Sequence, residues 1–259
     1  MLGCGKMGSA LLSGWLEQGA DPKSVWILDP QPSKWVIASG VRVNEMLPDD
    51  PAIVLVAVKP QMMGEALPRL QKFGAATTLF LSVAAGTSIS TFEQVLGSST
   101  PIVRAMPNTP AAIGQGITAL IGNSRTTDTD LAEAQSLMAA VGQTVLLQDE
   151  SQMDAVTGVS GSGPAYVFHL IETLAQAGVE QGLPAGMAMQ LAQATVAGAG
   201  ALAVQSDDSA EQLRINVTSP NGTTQAALEV LMRDEAGLQS LMTSAVEAAT
   251  KRSQELSND

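Results

Sequence analysis

Apolar residues in the first half of the chain fall into short runs, and the stretches between them carry helical periodicity. The runs at 25–28, 53–58, 78–83, 102–105, 117–121 and 144–147 predict strands. Two of them, 53–58 and 78–83, are almost continuously apolar, as expected of parallel strands covered on both faces. Between the runs, 10–18, 61–70, 90–96 and 130–141 repeat apolar positions every three to four residues, which gives the βαβ rhythm of a doubly wound sheet. After residue 148 the strand signals stop. The stretches 164–181, 184–205, 210–216, 224–233 and 237–256 read as helices rich in Ala, Leu, Met and Gln. The fold class expected is therefore α/β: an N-terminal Rossmann-type sheet over 1–148, followed by an all-α region over 149–259. Within that region 192–203 reads A-Q-A-T-V-A-G-A-G-A-L-A and has almost no polar face. Such a helix needs burial, and a helical region this small cannot supply it alone, so a large subunit interface is expected.

Composition narrows the function classes. The chain has 259 residues, 45% of them hydrophobic, as in an ordinary globular protein. Apolar runs such as 53–58 fall far short of the roughly 20 residues of a membrane helix, and the first residues lack the pattern of a secretion signal; a cytoplasmic protein is expected. Cys4 is the only cysteine, which excludes an internal disulfide and a thiolate metal cluster, and no metal site is expected. Net charge is −12, unevenly spread: residues 1–148 hold 9 Lys/Arg against 11 Asp/Glu, and 149–259 hold 4 against 14. A surface that acidic repels phosphate backbones and anionic lipids, so neither nucleic acid nor membrane is an expected partner.

The glycine loop comes at the very start. Gly3, Gly5 and Gly8 stand in G-C-G-K-M-G, with Lys6 and Met7 leading into the first helix. This spacing allows a tight turn, close approach of a pyrophosphate and close packing of helix on strand. Asp29 ends the next strand, where an acid can hold an adenosine ribose; a turn residue before Pro30 is the alternative. The strand that should precede the loop is reduced to Met1 and Leu2, yet that strand is normally central. A truncated chain or a misassigned start is the expectation here, with a sheet that lacks a middle strand. Further candidates lie at the carboxyl ends of later strands: Val58-Lys59-Pro60, Ala85 and Gly86 in A-A-G-T, and Asn108, held between Pro107 and Pro110. Asn108 can bond a ribose hydroxyl or a carboxamide, and Lys59 a ribose or phosphate; a rigid turn and a solvated lysine are the alternatives.

Polar catalysts are scarce. His169 and Tyr166 are the only residues of their kinds, and His169 lies in an apolar helix where a packed histidine is the ordinary case. Nucleophilic hydrolysis is therefore not expected, and a bound cofactor carrying the hard step fits better. Two polar turns open helices in the second half. In 154–166, D-A-V-T-G-V-S-G-S-G-P-A-Y, Gly161 and Gly163 suit positive φ, Pro164 suits the first helical position and Ser162 can cap. In 216–224, N-V-T-S-P-N-G-T-T, Thr223 or Thr224 can cap, and free amides at the helix start can hold a carboxylate.

G-C-G-K-M-G, A-V-K-P at 57–60, R-A-M-P-N-T-P at 104–110 and the two polar turns together resemble the pyrroline-5-carboxylate reductase family, in the right order over nearly the whole chain. The resemblance implies NADPH- or NADH-dependent reduction of the C=N bond of 1-pyrroline-5-carboxylate to L-proline, the last step of proline biosynthesis. It also implies a helical dimerisation domain, with dimers often assembled into larger rings. It places the cyclic imino acid's carboxylate on Ser219, Gly222 and Thr223 with Val217 nearby, and Thr224 beside the ring nitrogen as the catalytic residue; Asn216 would order the loop. Cofactor contacts would fall on Gly3, Gly5, Lys6, Met7, Gly8, Asp29, Val58, Lys59, Pro60, Ala85, Gly86 and Asn108. Asn221 departs from the family's usual glycine, although asparagine tolerates left-handed backbone better than most residues. A β-hydroxyacid dehydrogenase is the rival enzyme; it commonly uses a lysine base, and the second region offers only Lys251. A non-catalytic NAD(P)-binding dimer is the rival from another class.

Overall fold

The computed structural model describes residues 1–74 and 77–258, with side chains through Leu256. The chain divides into two compact units, one of Met1–Gly161 with Ala249–Asp259, the other of Ser162–Ala248. The division thus falls after Gly161 rather than after residue 148, and the end of the last helix belongs with the first unit.

The first unit is built on parallel strands. Its elements are α1 (Lys6–Glu17), β1 (Trp26–Ile27), α2 (Lys34–Ala38), β2 (Arg42–Val43), β3 (Ile53–Val56), α3 (Met63–Ala66), β4 (Leu79–Ser82), α4 (Ile89–Leu96), β5 (Ile102–Met106), β6 (Gly116–Gly122), α5 (Asp128–Ala139), β7 (Gly142–Leu146) and α6 (Met153–Val156). All six expected strands are present. The pair α2 and β2 was not anticipated, because its apolar positions are too few to show a period: only Val36 of α2 is buried, where it joins Leu12, Ile27 and Val41 in a small core. The helix expected over 61–70 is broken into 3-10 turns on either side of α3. Pro60 and Pro68 account for this, since neither can donate to a helical ladder.

Strands β3 to β7 form one sheet in chain order, and β1 pairs with β2 in a second. All of these pairings are parallel except β5 with β6. The connection from β5 to β6, 107–115, carries only a 3-10 turn and is too short for a crossover, so the chain doubles back. The core lies on both faces of β3 and β4, with Phe80, Phe92 and Leu67 on one side and Leu81, Leu120 and Met138 on the other.

The middle strand is a single residue. Leu2 bridges Leu28 on one side and Val56 on the other, both in parallel sense, and is the only bridge joining the two sheets among the described residues. Behind it, at the amino ends of β1 and β3, a cleft of about 480 Å³ opens between Trp26, Leu28, Ile53 and Leu55, with Met1 at its end. The cleft follows the lane between β1 and β3 on the far side of Met1 from the glycine loop. The Met1 amino group lies buried in it, bonded to Trp26 O at 2.7 Å, and burial lowers its pKa from 8.0 to about 6.

The second unit is helical. It comprises α7 (Gly163–Glu180), α8 (Ala185–Gln205), α9 (Ala210–Asn216), α10 (Thr223–Leu231) and most of α11 (Leu238–Asn258). Helices α7 and α8 pack through Ala175, Ala188 and Ala192, which form the only buried apolar cluster of this unit among the described residues. Ile171 and Met189 pack partly against this cluster, whereas Phe168, Leu170, Met187 and Leu191 are exposed on the isolated chain. Helix α8 is long and apolar enough to cross a membrane by length and composition, contrary to the expectation that no such stretch exists. His169 is not a core residue: its ring is 74% exposed and lies 3.3 Å from Glu172. The cause is that the face of α7 carrying it is left open within this chain.

Candidate active site

The glycine loop has the shape a dinucleotide needs. Gly3 adopts φ +80°, and a Cβ there would lie 2.8 Å from Ala57 O and 2.9 Å from Val58 Cγ1, so only glycine lets the loop press onto the end of β3. Gly8 is buried, and its Cβ would sit 3.0 Å from Gly3 O, which holds α1 close to the loop. Gly5 has nothing within 4 Å of its missing Cβ and serves as N-cap of α1 without any side-chain cap. The amides of the first turn therefore face open space, the arrangement that accepts a pyrophosphate at the positive end of a helix. Lys6 is exposed on that turn, whereas the Met7 side chain packs partly against the core.

Asp29 lies beside this loop and helps to build it. One carboxylate oxygen accepts the Cys4 N–H at 2.6 Å and the other the Gln31 N–H at 2.8 Å. The Asn44 side chain brackets Asp29 from both sides, accepting its N–H at 3.0 Å and donating to its carbonyl at 2.8 Å. The turn and the ribose readings of Asp29 are thus not exclusive. Cys4 is buried 3.6 Å from Ser9 Oγ, and burial pushes its thiol up, so it remains a neutral packing group.

The remaining cofactor candidates close the carboxyl ends of β3, β4 and β5. Val58 packs partly into the core, Lys59 is exposed and Pro60 starts a 3-10 turn. Ala85 is exposed and Gly86 takes φ +73°, which makes the turn after β4. Asn108 Oδ1 accepts the Ile117 N–H at 2.9 Å, so its carbonyl oxygen fastens β6 and its NH2 group is the part left for a ligand.

In the second unit the loop between α9 and α10 gathers Val217, Ser219, Gly222, Thr223 and Thr224. Asn221 takes φ +58°, the left-handed backbone that the usual glycine would supply. Its N–H donates to Gln225 Oε1 at 2.7 Å. Neither threonine caps α10. Gly222 is the N-cap, with no side-chain cap, and a Cβ there would strike Ser219 Oγ. Thr223 and Thr224 thus begin the helix, and their amides point out of its positive end with the two hydroxyls free of capping duty. Asn216 ties the loop's entrance to Asp208 at 3.1 Å and to Gln212 at 2.8 Å.

The turn at 154–166 differs most from expectation. Thr157–Gly161 is a π-helical turn, α7 starts directly after it, and neither Gly161 nor Gly163 has positive φ. Ser162 has helical backbone and makes no cap. The glycine that matters is Gly161, whose Cβ would lie 2.6 Å from Met106 Cε; at Gly163 the space is open. Sequence reasoning also missed an ion pair. Arg104, 6% exposed in β5, bonds Glu150 Oε1 at 2.7 Å, and the same oxygen accepts the Ile89 N–H at the start of α4 at 2.9 Å. An arginine within an apolar strand was the available signal.

Comparison with known proteins decides the family. A family model described as pyrroline-5-carboxylate reductase dimerisation matches residues 150–256, and one described as NADP oxidoreductase, coenzyme F420-dependent, matches residues 1–86. Pyrroline-5-carboxylate reductase of Pseudomonas aeruginosa is 37% identical over 98% of this chain and 95% of its own length. The chain belongs to the pyrroline-5-carboxylate reductase family. Among solved structures, the reductase from Coxiella burnetii superposes with a TM-score of 0.91 at 33% identity, covering 99% of this chain and 97% of that one. The Plasmodium falciparum enzyme with NADP bound gives 0.84 at 29% identity, covering 99% and 96%.

Proposed function

We propose that this protein is a 1-pyrroline-5-carboxylate reductase that binds its dinucleotide through 1–148 and its substrate through 149–259, with the residue roles that follow. Membership of the family carries the activity; the uncapped helix start at Thr223 and Thr224 carries the substrate site. Bound NADPH or NADH supplies a hydride to the imine carbon. The chain's own residues bind and orient. The amides at Gly222 and Thr223, with the Ser219 hydroxyl and Val217 alongside, hold the substrate carboxylate at the positive end of α10. The Thr224 hydroxyl bonds the ring nitrogen, which carries a proton as hydride arrives and becomes the secondary amine of proline. A cyclic imine is basic enough to enter partly protonated, so the step needs position and one hydrogen-bond partner rather than a strong acid, in keeping with the scarcity of such groups.

In the first unit, Gly3, Gly5, Gly8 and the backbone of Lys6 and Met7 receive the pyrophosphate. Asp29 faces the adenosine ribose; Val58, Lys59, Pro60, Ala85, Gly86 and Asn108 line the rest. The open apolar faces of α7 and α8 are covered by a second subunit, giving a homodimer that can build into a ring of dimers; the match to a dimerisation model over 150–256 supports this over a membrane location for α8. The enzyme is placed in the cytoplasm, and the net charge of −12 argues against nucleic acid and membrane as partners. Incubation of the purified protein with pyrroline-5-carboxylate while following NADPH and NADH absorbance tests the assignment. Oxidation with formation of proline is expected, and absence of oxidation with both cofactors refutes it.

A further inference from the structure

One part-buried hydrogen bond ties the first residue of the 154–166 motif to the end of the chain. Ser253, 6% exposed near the end of α11, donates to Asp154 Oδ1 of α6 at 2.6 Å. The two residues are 99 positions apart in sequence, and the bond joins the end of the chain to the segment that follows the sheet. Three residues on, Leu256 lies against Gly86: a Cβ on Gly86 would be 3.4 Å from Leu256 O and 3.5 Å from Leu256 Cβ. Residues three apart share a helix face, so the Ser253 bond sets where Leu256 rests. Gly86 is the φ +73° turn after β4. Three residues further along, at the start of α4, Glu150 accepts the Ile89 N–H at 2.9 Å and is itself fixed by Arg104 at 2.7 Å.

We infer that Ser253 is a positioning residue for cofactor binding: by its bond to Asp154 it seats the last turn of α11 on the Ala85–Gly86 turn and holds that turn in its binding shape. This rests on the reading of Ala85 and Gly86 as cofactor contacts. The segment after β4 thus has two supports, Leu256 at Gly86 and Glu150 at Ile89. Only the first depends on Ser253. Loss of the hydroxyl leaves the Asp154 carboxylate without this donor and lets the helix end lift, while the Glu150 support and the substrate loop at 216–224 stay as they are.

Steady-state kinetics and equilibrium cofactor binding on the full-length protein test the inference. Ser253→Ala is expected to raise the KM and Kd of NADPH and NADH about three- to ten-fold, with kcat at saturating cofactor and KM for pyrroline-5-carboxylate within about two-fold. Ser253→Thr, which keeps the hydroxyl, should restore cofactor affinity. Asp154→Ala should match Ser253→Ala, and the double variant should be no worse than either, as for two halves of one interaction. Unchanged cofactor Kd in folded Ser253→Ala, or equal losses in both KM values and kcat, overturns the inference. Should Ser253→Ala not fold, an Asp154→Ala variant with unaltered cofactor Kd overturns it instead. Gly3→Val separates the two levels: if it leaves cofactor affinity intact, the cofactor-site reading itself fails, whereas loss of binding in Gly3→Val with normal binding in Ser253→Ala refutes only the role of Ser253.

Discussion

Lengthening the first strand by four apolar residues joined to the Met1 amino group should stabilise the protein, and by more at pH 6 than at pH 8. The register is fixed by Leu2, which pairs with both Leu28 and Val56. A residue placed before Met1 therefore falls between Trp26 and Val54, the next between Val25 and Ile53, and the third between Ser24 and Ala52. On β3 the bonds to β4 use Ala52 and Val56, while those to Leu2 use Leu55 and Ala57, so the alternation turns Ile53 and Leu55 toward the lane. On β1, Val25 and Ile27 bond β2, which turns Ser24 and Trp26 toward it. An added strand can thus make about four backbone hydrogen bonds. Burial of three Val-sized side chains, about 1.5–3 kcal/mol each, is nearly offset by ordering four residues at about 1–2 kcal/mol each. The hydrogen bonds, at about 0.5–1.5 kcal/mol each, decide the sign and leave a gain of about 2–4 kcal/mol.

The pH dependence is the sharper part of the test. The Met1 amine is lowered by burial from 8.0 to about 6, so between pH 8 and 6 the unfolded chain takes up a proton that the folded chain refuses. Stability contributed by the neutral amine is present above its unfolded pKa and is lost as pH falls toward the folded one, a total of about 2.7 kcal/mol. The extension turns this amine into an amide, and the new terminus, lying in solvent, has the same pKa in both states. Other titrating groups are common to both proteins and cancel in the difference. Because pH 8 and pH 6 coincide with the two pKa values, about 2 kcal/mol of this total falls between them, and thermal unfolding of the two proteins should show a gap in Tm that widens by about 4–8 °C at the lower pH. A gap that does not change with pH, or an extended protein that melts lower at both, refutes the description of the lane.

Three further outcomes follow from the geometry. Thr224→Ala should lower kcat/KM about ten- to a hundred-fold by removing one hydrogen bond to a charged nitrogen, with unchanged Tm; wild-type turnover in steady-state assays would remove Thr224 from the mechanism. Gly161→Ala must displace Met106, 2.6 Å from the new Cβ, and should lower stability by about 1 kcal/mol, whereas Gly163→Ala adds a better helix former in open space and should raise it by about 0.5–1 kcal/mol in denaturant titrations. Glu150→Ala strands the buried Arg104 guanidinium and frees the Ile89 amide, and should cost about 2–3 kcal/mol, read as a Tm lower by about 4–12 °C.

What could be read from the sequence depended on how local its physical cause was. Strands β3, β4 and β5 were legible because each is a largely apolar run buried on both faces, whereas β2, only Arg42 and Val43, leaves no such trace. The left-handed turn at Asn221 was legible because one residue's steric freedom decides it. Helix starts were less so. A serine or threonine ahead of a helical stretch reads as a cap, yet Ser162 has helical backbone and Thr223 lies one residue inside α10, behind the Gly222 N-cap. Whether a helix begins one residue earlier depends on what the preceding loop packs against. At 154–166 glycines that mark a turn in isolation are absorbed into a π-helical turn, where Gly161 is needed for the approach of Met106 and not for its own φ. The ties of Arg104 to Glu150 and of Ser253 to Asp154 join residues 46 and 99 positions apart, and no spacing rule reaches that far. The exposed His169 shows the same limit from the other side. An apolar helix signals burial but does not name the surface that provides it, and on α7 and α8 that surface is not supplied by the chain's own fold. Local chemistry thus places the loops that bind, and the long-range ties that hold those loops in shape become visible only once the chain is folded.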